Sequence, residues 1–343
     1  MGEPLVSAVI ITYNQEQYIK QTIECALAQK VDFDYEIVIG EDCSTDRTRE
    51  ICLHYQEKYP DIIRVITSDK NVGLLDNWYR SVKSAKGKYI AVCAGDDFWH
   101  DTDKTQKQVS FLENNPKYGM VHSDADILKV DEGRLIKNFH KSFKVIYDNN
   151  SDDILTLLFT GRYSVVACTS VFRKEYFDSY FNINELKKNG ILMEDMPLWI
   201  IIAAHSKIFY MPESLIVHRE MRGTITNPYS FEKKIQIWES AHKCFIYFFK
   251  QYKAKFLDSN VNIKTIDQIF NRILLKRAMQ ANRKDLVQVY YNNIVTQSGQ
   301  SYLTTSDKIK YYFSHLPFGT RAYNSLLSFF FYIKELSGGM PTR

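Results

Sequence analysis

Asp96 and Asp97 stand side by side just after a short apolar run, Tyr89, Ile90, Ala91, Val92 and Cys93, with Ala94 and Gly95 in between. The run is set off by Lys86 and Gly87 and predicts a buried strand of a parallel sheet. Paired carboxylates are hard oxygen donors, and magnesium or manganese takes one or two of them together with substrate phosphates. In open α/β sheets ligands bind beyond the carboxyl ends of the strands, which is where this pair falls. The competing reading is that one Asp caps the helix starting near Asp103 while the other is solvated. A second acidic pair, Glu194 and Asp195, precedes Pro197 at the start of an apolar helical stretch, a position that also suits a helix cap.

These acids need a scaffold, and the first hundred residues supply one. Residues 5–12 (LVSAVIIT) read as a β-branched, apolar strand, followed by a helix over 17–29 with Ile19, Ile23, Ala26 and Leu27 on its apolar side. Residues 35–40 form the second strand, ending at Glu41 and Asp42, and capping residues from Ser44 start the next helix. A strand at 62–67, the loop 69–73 and a helix at 77–84 lead into the Asp96–Asp97 strand. Such alternation predicts a parallel α/β sheet with right-handed crossovers. Beyond it come a helix at 103–114 and a strand at 119–128, then a polar surface excursion at 129–153. A strand at 165–172 and two short strands at 208–210 and 215–218 follow. The first strand-to-helix turn, at Thr12, Tyr13 and Asn14, lacks the glycine fingerprint of a dinucleotide site, and no GxxxxGK[ST] is present.

The chain has 343 residues, 45% hydrophobic and 24% charged, enough for one large α/β domain and a smaller appendage. Six cysteines show no CxxC spacing, which predicts a reduced, cytoplasmic compartment. The N-terminus runs almost directly into a strand without a leader-like pattern, and no apolar run approaches the roughly 20 residues that span a bilayer. The net charge of +4 is uneven: residues 231–343 carry 17 basic and 7 acidic side chains, so the rest is acidic.

Taken together, VSAVIITYN, EIVIGEDCSTDRT, the NVG loop at 71–73, GKYIAVCAGDDFW, EDMPLW and a closing Arg219 resemble, in order and spacing, the family 2 glycosyltransferases of GT-A fold. The resemblance covers about residues 1–227. It implies a Rossmann-like mixed sheet flanked by helices, with a catalytic domain at 1–228 and a helical extension at 229–343. It further implies an inverting transferase that moves a sugar from a nucleotide sugar, UDP-linked, to a hydroxyl of a glycan or lipid-linked acceptor in surface polysaccharide or glycolipid synthesis. On that resemblance Thr12, Tyr13, Asn14, Asp42 and Asn71 face the nucleotide. Asp96 and Asp97 contact the ribose and a divalent cation, manganese or magnesium, and Asp195 is the general base. Relatives often place an acid two residues before Asp96, where this chain has Ala94. They often end the closing motif with a histidine two residues after the arginine, where this chain has Met221. His218 lies three positions out of register, and Arg219 or Arg222 is the alternative partner for phosphate charge. A binding protein of the same fold without turnover is the alternative function.

Residues 229–343 read as helical. Ile235, Trp238, Phe245, Phe248 and Tyr252 follow helical spacing, as do Ile266, Ile269, Phe270 and Ile273, which predicts a small bundle core. The basic balance, KIKYYF at 308–313 and LLSFFFYIK at 326–334 point instead to peripheral contact with the inner face of the cytoplasmic membrane. No nucleic-acid-binding motif accompanies the charge.

Overall fold

The computed structural model describes residues 2–142, 149, 153–224, 228–298 and 304–316. The chain divides into two compact units, Met1–Met221 and Arg222–Arg343.

Among the described residues the first unit has nine strands: β1 Val6–Thr12, β2 Tyr35–Glu41, β3 Ile63–Ile66, β4 Tyr89–Ala94, β5 Phe98–Trp99, β6 Tyr118–Lys129, β7 Arg134–Ile136, β8 Val171–Arg173 and β9 Lys207–Glu220. They form one sheet in the order β3-β2-β1-β4-β8-β6-β9-β5, with β7 paired to β6. β3, β2, β1 and β4 are mutually parallel, as their apolar runs predicted. β8 then enters antiparallel between β4 and β6, so the sheet is mixed rather than parallel throughout. Helices α1 Ile19–Leu27, α2 Thr48–Lys58, α3 Leu74–Ser84 and α4 Lys104–Asn114 alternate with the early strands. Ile19, Ile23 and Ala26 of α1 are buried, as are Leu75, Trp78 and Val82 of α3. Short helices α5 Phe139–Ser142, α6 Ile154–Phe159, α7 Lys174–Tyr180 and α8 Ile183–Lys188 follow, then α9 Asp195–His205.

Three sequence expectations are corrected. The strand expected at 165–172 is only Val171–Arg173, because Ala167–Thr169 winds into a 3-10 turn that the apolar run does not betray. The two short strands at 208–210 and 215–218 are one strand, β9, whose pairing with β6 shifts register near Asp124. The excursion at 129–153 is partly structured: β7 pairs with β6, and His140 of α5 is fully buried.

In the second unit, α10 Phe231–Gln251, α11 Ile263–Gln280, α12 Lys284–Ser298 and α13 Thr305–His315 enclose their own core. Ile235, Leu274, Leu275, Ala278, Met279, Val287, Tyr290 and Ile294 compose it. Much of the apolar helical spacing therefore serves packing: Ile235, Phe245, Phe248, Ile266 and Phe270 are all buried. Among the described residues no helix is long and apolar enough to cross a membrane. The aromatic run at 326–334 lies outside the described residues.

Candidate active site

Parallel pairing lines up the carboxyl ends of three strands. Thr12 of β1 is in register with Glu41 of β2, and Ile11 with Ala94 of β4. Just beyond, the Asp42 amide donates to the Thr12 carbonyl (3.1 Å) and the Gly95 amide to that of Ile11 (2.9 Å). Thr12, Asp42 and the Gly95–Asp97 turn thus share one sheet edge, the position at which α/β sheets bind ligands. Gly95 permits the approach: a Cβ there would lie 2.6 Å from Thr12 Oγ1 and would also strike Gln15.

At the first strand end, Thr12 donates its hydroxyl to Gln15 Oε1 (2.8 Å). Asn14, in the left-handed region at φ 52°, accepts the Thr45 amide on Oδ1 (2.8 Å), tying β1's turn to the start of α2. Tyr13 is 43% exposed. Asp42 is almost fully buried, and its two oxygens accept the amides of Val72 (2.8 Å) and Gly73 (2.9 Å). It therefore shapes the 71–73 loop, leaving Asn71 exposed at the tip and Gly73, at φ 88°, to start α3.

Asp96 and Asp97 differ sharply. Asp97 is 2% exposed. Its carboxylate accepts the Arg219 amide (2.8 Å) and lies 2.9 and 3.0 Å from His218 Nδ1. Burial of the imidazole opposes its charge, but the Asp97 carboxylate outweighs it and raises the His218 pKa to about 9, so His218 is protonated and donates. Asp96 is half-buried, and burial followed by the neighbouring Asp97 charge raises its carboxyl to about 6. Arg219 does not reach outward. Its guanidinium donates to the Asp96 carbonyl and to Gln21 Oε1, and it lies between the rings of Tyr18 (4.9 Å) and Phe98 (4.7 Å). The histidine that lies against Asp97 is the one immediately before Arg219, because β5 pairs Phe98 with Val217 and brings His218 to the acidic turn.

Asp195 is the first residue of α9, and its Oδ1 accepts the adjacent Met196 amide (2.7 Å); the N-cap residue is Glu194, whose side chain makes no capping hydrogen bond, so the cap that the position suggested is not formed. Burial raises its carboxyl, and burial together with the Asp195 charge raises Glu194 to about 8. Among the described residues no hydrogen bond or ion pair links Asp195 to Asp96 or Asp97.

Two neighbours of the turn escaped the sequence reading. Cys168, 2% exposed, directs its thiol toward Asp97. Lys104 is fully buried and, among the described residues, its Nζ has no hydrogen-bond partner; it lies 4.3 Å from the Trp99 ring centre. Only the charge of Lys104 at the start of an apolar-faced helix could have flagged it; nothing local marks Cys168.

Residues 7–181 match Glycosyl transferase family 2, and the chain belongs to that family. An uncharacterized protein of Mycobacterium tuberculosis is 30% identical over 236 residues, 68% of this chain and 64% of its own length. The chain thus spans somewhat less than two thirds of that relative. A Bacillus subtilis glycosyltransferase named for teichuronic acid biosynthesis, TuaG, is 36% identical over 110 residues, 32% of this chain and 42% of that one. In three dimensions the chain is similar to Staphylococcus aureus TarS in complex with UDP-GlcNAc, with a TM-score of 0.51 at 17% identity, covering 90% of this chain and 79% of that one. The fold is that of the GT-A glycosyltransferases.

Proposed function

We propose that this chain transfers a sugar from a nucleotide sugar, UDP-linked, to a hydroxyl of a glycan or lipid-linked acceptor with inversion, in the synthesis of a surface polysaccharide or glycolipid. The observation that carries this reading is the shared edge of β1, β2 and β4, where Thr12, Asn14, Asp42 with its 71–73 loop, and Asp96–Asp97 converge. The UDP-GlcNAc complex of TarS supports a UDP-linked donor, and the name of TuaG supports a polysaccharide product.

The acidic turn fits a hard divalent cation. Two carboxylates are held next to each other, and burial followed by the adjacent Asp97 charge raises Asp96, the second of which a cation would relieve. Asp96 would hold manganese or magnesium, with Asp97 braced behind it by His218 and the Arg219 amide. When bound, the ion neutralises the departing diphosphate, worth several kcal/mol.

The chain's own residues supply the rest. Asp42 orders the loop that closes on the base and ribose, through the Val72 and Gly73 amides. Asp195 takes the proton of the attacking acceptor hydroxyl as that oxygen bonds to the anomeric carbon and the nucleoside diphosphate leaves from the opposite face. A single base suffices, since no water is activated and no glycosyl-enzyme forms. Burial makes Asp195 a stronger base than an exposed aspartate, and Glu194 beside it stays protonated at neutral pH. Screening nucleotide sugars for hydrolysis and transfer with and without manganese tests the reading. Binding of a nucleotide without turnover under any condition would instead favour the non-catalytic alternative.

A further inference from the structure

The turn that carries Asp97 also gathers a sulfur and a nitrogen. Cys168 Sγ, a carboxylate oxygen of Asp97 and a ring nitrogen of His218 all lie within 4.8 Å of one another. They come from three segments: the 3-10 turn before β8, the turn between β4 and β5, and β9. We propose that Asp97, Cys168 and His218 form a zinc(II) site, chemically distinct from the hard-cation position at Asp96.

The donor set decides the metal. A buried thiol is a poor partner for magnesium or manganese and a good one for zinc, which pairs sulfur with imidazole and carboxylate. Three protein ligands with a fourth position left for water or a donor oxygen is an open zinc arrangement. Bonds of about 2.0–2.3 Å to zinc place ligand atoms roughly 3.5 Å apart, so small side-chain rotations close the present 4.8 Å spread.

The supporting contacts are in place. The Arg219 amide holds Asp97 (2.8 Å). Trp99 Nε1 donates to the Cys168 carbonyl (3.1 Å), and the Thr22 hydroxyl lies 2.6 Å from the Asp97 carbonyl. Such second contacts orient metal ligands. The His218 side chain is 30% exposed and gives solvent access. Coordination releases the thiol proton of Cys168 and the shared ring proton of His218 to buffer. Since zinc would draw Asp97 and His218 out of the contact that braces the Asp96 turn, zinc should inhibit transfer that manganese supports; this consequence alone rests on the glycosyltransferase reading.

The test uses the full, tag-free, reduced chain with cobalt(II) as the probe. One equivalent of cobalt should produce a near-ultraviolet thiolate charge-transfer band that one equivalent of zinc abolishes. Cys168→Ser should remove the band and weaken zinc binding by at least about 10–100-fold, the loss that even a supporting residue causes. Cys93→Ser and Cys25→Ser should keep the band. A metal-free melting temperature for Cys168→Ser close to that of the parent chain shows that it folds. No band in the parent chain, or a band that survives in Cys168→Ser, overturns the site. If transfer is measurable, zinc should suppress it in the parent chain and not in Cys168→Ser. If no transfer is found with any donor, the cobalt band still decides the metal site by itself.

Discussion

Asp97 and His218, 121 residues apart, meet at 2.9 Å because β5 runs antiparallel to β9 with Phe98 opposite Val217. One step back along β5 and one forward along β9 then puts the carboxylate against Nδ1. The next step puts Asp96 against Arg219, whose guanidinium takes the Asp96 carbonyl. The closing segment of the first unit therefore pins the acidic turn through His218 and Arg219, which hold the buried Asp97 carboxylate and, at Asp96, only the backbone carbonyl.

That asymmetry separates two otherwise similar substitutions. Asp96→Asn should cut transfer by at least about 100-fold, since metal stabilisation is worth several kcal/mol, while leaving the melting temperature nearly unchanged. Asp97→Asn should lose transfer and also stability, because a buried partner of a protonated histidine is removed. Thermal melts beside transfer assays check both. Equal melting temperatures for the two variants would remove the bracing role of Asp97, and full activity of Asp96→Asn, or of the parent chain in EDTA, would remove the metal role of Asp96.

Asp195→Asn keeps the size of the side chain and an oxygen for the Met196 amide, but it cannot accept the acceptor's proton. Transfer should fall by roughly 100- to 10,000-fold with donor affinity retained. Calorimetric titration with the donor separates the two; an equal collapse of affinity makes Asp195 a structural or binding residue and places the base elsewhere.

Gly95→Ala should destabilise by about 1–3 kcal/mol, the usual cost of overpacking, since the new Cβ meets the Thr12 side chain at 2.6–2.7 Å. Chemical denaturation measures this. A neutral change would mean that the turn can move away from β1, and with it the acids.

Lys104 gives a pH signature. Burial lowers its pKa from 10.5 to about 8, so between these values the unfolded chain binds more protons than the folded one. Stability contributed by this group therefore rises with pH across that window, by up to about 3 kcal/mol. Lys104→Met should flatten the rise and stabilise the fold at pH 7, because an unpaired buried ammonium gives way to an apolar side chain. Denaturation of both chains from pH 7 to 10 decides it, and a variant less stable at pH 7 would show that the charge is compensated.

Contact with an anionic membrane surface has one described patch to stand on. Lys308, Ile309 and Tyr312 lie on the exposed side of α13, Tyr312 at 63%. Sedimentation with anionic vesicles at low salt should weaken when Lys308→Glu and Tyr312→Ser are combined, and also at 1 M salt, where screening acts within about 3 Å. Equal binding of the two chains to neutral and anionic vesicles would rule out this patch.

The strands of the parallel half and the helices between them were legible from sequence because apolar runs and 3.6-residue spacing are local patterns. The runs at 5–12, 35–40 and 89–93 each reappear as a buried strand within a residue or so. Asp42, Asp96 and Asp97 were placed at one edge for the same reason: parallel strands with helical crossovers all end on the same side. The sequence alone thus determined the alternation, the acidic edge and the helical character of the second unit. Tertiary structure decided everything that depends on the antiparallel return: that 207–220 is one strand, that His218 meets Asp97, and that Arg219 turns inward. It also decided that Cys168 and Lys104 lie beside the turn. None of these follows from local spacing, because strand register across more than a hundred residues is set only when the core and the ladder hydrogen bonds close together.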